Sequence, residues 1–244
     1  MDVSSRAVLT AAMAAGVAAA AFVGQLPLVA AAGVLTLLLA VGWPVLLDLP
    51  NPLGTGVVIA LVGLGSVLAV TVSTGATLLW LVPTVVALGV LLTFVAELLR
   101  RDGRLRLVES VTGTVTGLLV VSATAGWVAA LRAPGGTGLV ITGAAALAAS
   151  AGVSAVHLGR RTGALVTTAA GVIAGGAVGS VMPGIAIAPG LALGFATGLL
   201  VAVLHVLFEG VGTLRRVLAA VAALVLPVLV GGTLVYVVGR VLVG

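Results

Sequence analysis

The run Glu97-Leu-Leu-Arg-Arg-Asp-Gly-Arg-Leu-Arg106 closes one apolar stretch, residues 77–99, and leads into another, residues 108–131. Each stretch matches the roughly 20 apolar residues that carry a helix across a bilayer. A short, arginine-crowded loop between two such stretches is the pattern of a helical hairpin whose turn is kept on one side of a membrane. The same pattern recurs in both directions along the chain. Apolar stretches fall at about 6–24, 26–47, 55–75, 77–99, 108–131, 138–158, 164–182, 187–208 and 216–239. Breakers separate them: Gln25–Pro27, Leu49-Pro50-Asn51-Pro52, Ala133-Pro134-Gly135-Gly136 and Pro183-Gly184. Pro189 is placed for a first helical turn.

Composition points the same way. Of 244 residues, 61% are hydrophobic and only 7% charged, with a mean hydropathy of +1.40. A soluble domain carries about 25% charged residues, so most of this surface must meet lipid. Backbone in lipid must satisfy its own hydrogen bonds, which leaves helices or closed barrels. The long continuous apolar runs lack the alternation of barrel strands. The expected fold is therefore all-α: one integral membrane domain, residues 1–244, forming a polytopic transmembrane helix bundle of nine spans.

The basic residues set an orientation. Every one is arginine. If the chain alternates sides, Arg6, Arg100, Arg101, Arg104, Arg106, Arg160, Arg161, Arg215 and Arg216 share one face, and only Arg132 and Arg240 fall on the other. Basic residues in short loops stay cytoplasmic, which puts the N-terminus inside and the C-terminus outside. The net charge of +5 is spread over helix ends rather than along a stripe interleaved with aromatics, so no nucleic-acid partner is expected. The absence of cysteine and lysine and the abundance of Ala, Val, Gly and Leu suggest a GC-rich bacterial genome. The expected location is a bacterial inner (plasma) membrane, with the bilayer itself as the first partner. The first span, longer than a signal-peptide core and carrying Asp2 beside Arg6, reads as a retained helix. Trp43, Trp80, Trp127 and Tyr236 fall near helix ends and read as interfacial anchors.

Glycines recur at helical spacing. Gly171, Gly175 and Gly179 lie four apart on the seventh span; Gly190, Gly194 and Gly198 do so on the eighth; Gly113 and Gly117 form a shorter set on the fifth. Such grooves let backbones approach closely in lipid, where van der Waals contact replaces the hydrophobic drive. The expectation is a tight hairpin of spans seven and eight at the bundle centre. The alternative is a homodimer seam or a face for another membrane protein.

Chemistry is sparse. In this topology all six acids and both histidines lie toward the cytoplasmic face. The candidate polar cluster is Glu97, Glu109, His157, His205 and Glu209, with His205 and Glu209 one turn apart. An enzyme would gather these five in one cleft; interfacial groups would pair separately with nearby arginines. Asp48 reads as a cap for the Pro50–Pro52 turn. Thr71, Ser73, Thr112, Thr114, Thr116, Ser122 and Thr124 can bond their own helix backbone or a neighbouring helix. There is no P-loop, HExxH or GxSxG, so no catalytic residue, metal site or cofactor is expected.

Residues 94–212 resemble, in their order of features, the bacterial phosphatidate cytidylyltransferases. The resemblance is carried by Glu97-Leu-Leu-Arg-Arg-Asp-Gly-Arg104, by Ala155-Val-His-Leu-Gly-Arg-Arg-Thr-Gly163 and by Glu209-Gly-Val-Gly-Thr-Leu-Arg-Arg216. That family uses CTP and magnesium at a cytoplasm-facing site. Its Ser-Pro-Lys-Lys segment, helix-end aspartate and C-terminal signature are missing here, with Thr167-Thr-Ala-Ala170 and Ser154 in their places. The resemblance therefore implies a non-catalytic relative. The function expected is non-enzymatic: a permease-like or lipid-handling component, or alternatively a structural subunit packed through its glycine grooves.

Overall fold

The computed structural model describes residues 3–74, 77–156 and 159–243. Its helices are α1 (Val3–Val23), α2 (Gln25–Leu46), α3 (Pro52–Val72), α4 (Val82–Leu98), α5 (Leu107–Ser122), α6 (Ala125–Leu131), α7 (Gly136–Val153), α8 (Arg160–Val181), α9 (Ile187–Phe208) and α10 (Val217–Leu242), with a 3-10 turn at Gly212–Arg215. Among the described residues there is no strand. Taking α5 and α6 as one stretch, Leu107–Leu131, eight helices are long and apolar enough to cross a membrane, and α4 is a shorter apolar helix. Large apolar side chains such as Leu26, Leu53, Val72, Leu165, Ile173 and Val181 point outward. An exposed apolar belt around an all-helical bundle marks a multi-pass membrane protein.

The elements start and stop for local reasons. The Asn51 side chain accepts from the Gly54 backbone N–H at 3.1 Å and Pro52 opens α3, so this helix begins three residues before the expected 55. Asp48 is not the cap: it adopts a left-handed φ of 52° and turns its carboxylate to Arg216 and Arg106. The fourth helix begins at Val82 rather than 77, with Leu78–Leu81 in turns and Pro83 in the first helical turn. The fifth stretch is interrupted at Ala123–Thr124 without a proline. There the Thr233 hydroxyl of α10 donates to the Ala123 carbonyl at 3.2 Å, a side chain inserted into the helix ladder.

Helix α10 occupies the middle and packs against α1, α2, α5, α6, α7 and α9. Its crossing with α6 is close: a Cβ on Gly232 would lie 2.8 Å from the Trp127 nitrogen and 2.9 Å from the Ala123 carbonyl oxygen. Trp127 is wholly buried there and donates through Nε1 to the Val228 carbonyl at 2.7 Å. Trp43 is buried too, donating to the Gly113 carbonyl at 2.9 Å. Its indole fills the slot left by Gly117, where a Cβ would sit 2.7 Å from Nε1. Two of the four expected interfacial aromatics are thus core residues, because glycines on neighbouring helices open room for an indole and a carbonyl to receive its N–H. Trp80 is exposed.

The glycine ladders face each other. The buried residues of α8 are Thr167, Gly171, Gly175 and Gly179, a single row four apart. A Cβ on Gly171 would meet the Gly194 carbonyl oxygen at 2.5 Å and the Gly198 Cα at 2.9 Å; one on Gly190 would meet the Gly175 carbonyl oxygen at 2.5 Å. Helices α8 and α9 therefore touch backbone to backbone, with Ser150 of α7 against the same seam. The hairpin is not at the bundle centre, however. Among the described residues helix α8 packs mainly on α9 and α7 and shows most of the rest of its surface outward, because a helix with one narrow glycine row has one face to bury.

Most in-span hydroxyls are satisfied locally. Thr71, Ser73, Thr112, Thr116 and Ser122 donate to carbonyls three or four residues back. Thr114 does so as well, and its oxygen lies 2.9 Å from Thr55 of α3. The Thr124 hydroxyl is buried without a partner.

Candidate functional site

One end of the bundle gathers the charged groups. The Thr213 hydroxyl donates to the Leu46 carbonyl at 3.0 Å, and Arg216 meets Asp48 at 2.9 Å, tying the start of α10 to the end of α2. Arg106 reaches the Asp48 carbonyl at 3.1 Å, adding the α4–α5 loop. At the opposite end Arg132 donates to the carbonyls of Val70, of Thr71 at 3.1 Å and of Ser73 at 2.7 Å, the free acceptors at the end of α3.

The candidate polar residues do not converge. Glu97 is buried, accepting from Ser110 Oγ at 2.6 Å and from Arg100 at 2.6 Å. Arg100 also grips Asp102, at 3.1 Å through Nε and 2.5 Å through a terminal nitrogen. This hydrogen-bonded guanidinium holds the Asp102 carboxyl below the usual carboxylate range, and the Arg104 backbone N–H adds to the effect. Glu109 is exposed and paired with Arg106, whose pKa it raises by that hydrogen bond. His205 Nε2 lies 3.8 Å from Glu209 Oε1, one helical turn away on α9. His157 lies outside the described residues. Glu97, Asp102 and Glu109 thus each answer an arginine on their own or the adjoining segment, and Glu209 faces a histidine. Among the described residues, no three histidines or acids come close enough to hold a metal ion.

The structure holds several cavities, and one of them borders His205 and Glu209. A cavity of about 350 Å³ opens between α1, the end of α7, α9 and α10. Its polar lining is Arg6, Thr10, Ser154, His205 and Glu209, and its apolar lining includes Val201, Leu204, Leu224 and Pro227. Pro227 stands ten residues into α10, so the lining extends about 15 Å from the charged end at 1.5 Å per residue, roughly half the depth of a bilayer's hydrocarbon core. The proline gives this wall its form. Lacking an N–H, it leaves the Ala223 carbonyl without its usual donor, and the Thr10 hydroxyl crosses from α1 to the adjacent Leu224 carbonyl at 2.9 Å. A second cavity of about 330 Å³ adjoins the first; the two share Arg6, Phe208 and Gly210, and Arg215 lines the second.

Arg6 stands between the two spaces. Its Nε is buried and has no hydrogen-bond partner. Among the described residues Arg6 and Arg215 pair with no acid, and the same holds for Arg101, Arg104, Arg132, Arg160, Arg161 and Arg240, whereas Arg100, Arg106 and Arg216 are paired; what sets Arg6 apart is its buried, unpartnered Nε. In the sequence both arginines read only as orientation signals. Arg100 and Arg106 find acids two or three residues away, whereas Arg216 finds Asp48 only through packing.

No family model matches the chain, and no curated protein or solved structure is significantly similar to it.

Proposed function

We propose that this chain is a lipid-handling membrane protein of nine crossings, with its N-terminus in the cytoplasm and its C-terminus outside, that holds an amphiphile without acting on it chemically. The observation that carries this reading is the cavity beneath Arg6. It is polar where it opens at the charged end of the bundle, and its mainly apolar wall runs inward past Thr10 to Leu224 and Pro227, about half the depth of the hydrocarbon core. A polar mouth over a wall of leucine, valine and proline suits a ligand with a polar head and an acyl chain. The ninth crossing is α4. It follows the end of α3 bound by Arg132 and ends at Glu97, which meets Ser110 at the other end of the bundle. The separate pairing of Glu97, Glu109 and Glu209 favours a binding role over catalysis, which would need those groups in reach of one reacting atom.

A photoactivatable diacyl lipid supplied to membranes holding the full chain tests this reading. Crosslinks should concentrate on α9 and α10 near Val201 and Leu224, and L204W should remove them by filling the space. Labelling spread evenly over the outward leucines of α3 and α8, unchanged in L204W, overturns it.

A further inference from the structure

We infer that Arg6 and Arg215 form a phosphate site at the mouth of this cavity, taking the phosphodiester of an anionic glycerophospholipid whose chains lie against Leu224 and Pro227. The inference rests on the lipid-handling reading and names its ligand.

Three observations combine. The two arginines line adjoining spaces and Arg6 lines both. Arg6 carries a buried Nε donor with no acceptor, a costly state for a guanidinium unless a ligand supplies the acceptor. Neither arginine is neutralised by a described acid. The one acid of the larger cavity, Glu209, lies within ion-pair reach of His205 and of neither arginine. A planar guanidinium with donors in a fork suits phosphate oxygens, and two of them around one phosphodiester exceed its single charge. Free inorganic phosphate would satisfy the same arginines. It would leave the apolar wall empty, which is why the lipid is the ligand assigned.

The test uses the purified full chain in a neutral detergent, titrated with dioctanoyl phosphatidylglycerol, dioctanoylglycerol and inorganic phosphate. The first two probes differ by the phosphoglycerol headgroup. Phosphatidylglycerol should bind at least roughly tenfold more tightly than dioctanoylglycerol, as expected when charge-assisted hydrogen bonds are added. R6Q and R215Q should each erase most of that margin while leaving dioctanoylglycerol binding unchanged. R6K should retain part of it, and R216Q, which breaks only the pair with Asp48, should retain it all. Equal binding of both lipids, each lost in L204W, overturns the phosphate site and leaves the lipid-handling reading standing. Lipid binding that survives L204W overturns both. Inorganic phosphate binding as tightly as phosphatidylglycerol overturns the lipid assignment, since the apolar wall would then contribute nothing.

Discussion

Replacing Gly171 with alanine should destabilise the protein by driving α8 away from α9. The added methyl would stand 2.5 Å from the Gly194 carbonyl oxygen, 2.6 Å from Ser150 Oγ and 2.9 Å from the Gly198 Cα. Side-chain carbons essentially never come within 3.0 Å of such atoms, so the helices must part by at least the 0.5 Å difference. A gap of 0.5–1 Å forfeits about a quarter to a half of each contact's attraction, itself about 0.1–0.2 kcal/mol; over roughly thirty close atom pairs along the glycine rows the loss is about 1–2 kcal/mol. The result agrees with the usual cost of overpacking, about 1–3 kcal/mol. Alanine also improves helix propensity, so the comparison needs a control. Gly16 on α1 has no atom within 4 Å of a Cβ, and G16A reports the propensity gain alone. In thermal melts of the purified protein in detergent, G171A should fall below G16A by about 2–8 °C. The pair G171A/G194A should lose less than the sum of the two singles, because helices already parted by one methyl accommodate the second. A G171A protein that melts with G16A would refute backbone contact between α8 and α9. If the grooves instead served a second copy of the chain, G171A would lower the oligomer's mass in light scattering and leave the melt of the monomer unchanged.

Other perturbations follow from single contacts. R132Q removes the donors that hold the Val70, Thr71 and Ser73 carbonyls and should cost about 1–2 kcal/mol, seen as faster backbone hydrogen exchange at the end of α3. W43F keeps the ring but loses the N–H to Gly113, for about 0.5–1.5 kcal/mol in a denaturation titration; no change would mean the slot is held by shape alone. T10V removes the second donor to the Leu224 carbonyl, the one that crosses from α1, and should cost about as much while loosening α1 from α10, read by proteolysis near the N-terminus. The Arg100–Asp102 clamp has a defined pH response. The folded-state pKa of Asp102 is depressed, so its contribution is present above the ordinary carboxylate pKa and is lost as pH falls through its own lower value. Carboxyl NMR of Asp102 should show a midpoint below that of a free aspartate, moving up toward the ordinary value in R100Q and held short of it by the Arg104 N–H.

Much of this architecture is local and therefore legible in the chain itself. Whether a stretch can cross a membrane depends on its own apolar length, and eight of the nine stretches are long apolar helices; the sixth ends at Val153, five residues before the expected 158, and the fifth is broken at Ala123–Thr124. The rows Gly171–Gly179 and Gly190–Gly198 likewise lie on one face by helical periodicity alone, and a short loop between their helices places those faces together. Back-bonded threonines and serines need only their own helix.

What could not be read there depends on partners distant in sequence. Trp43 meets Gly113 seventy residues away, and Trp127 meets Val228 a hundred and one residues away. Whether an indole faces lipid headgroups or a glycine slot is decided by those partners and not by its position along a helix. Glu97 and Glu109 pair with arginines three residues away and Glu209 faces His205 four residues back, all local contacts; packing decided that Glu97 is buried against Ser110 and that Asp48 meets Arg216. The position of the α8–α9 hairpin on the flank, and the space left beneath Arg6, belong to the tertiary structure for the same reason. Both are properties of how α1, α7, α9 and α10 fill volume together, and volume is shared among helices, whereas hydropathy belongs to each one alone.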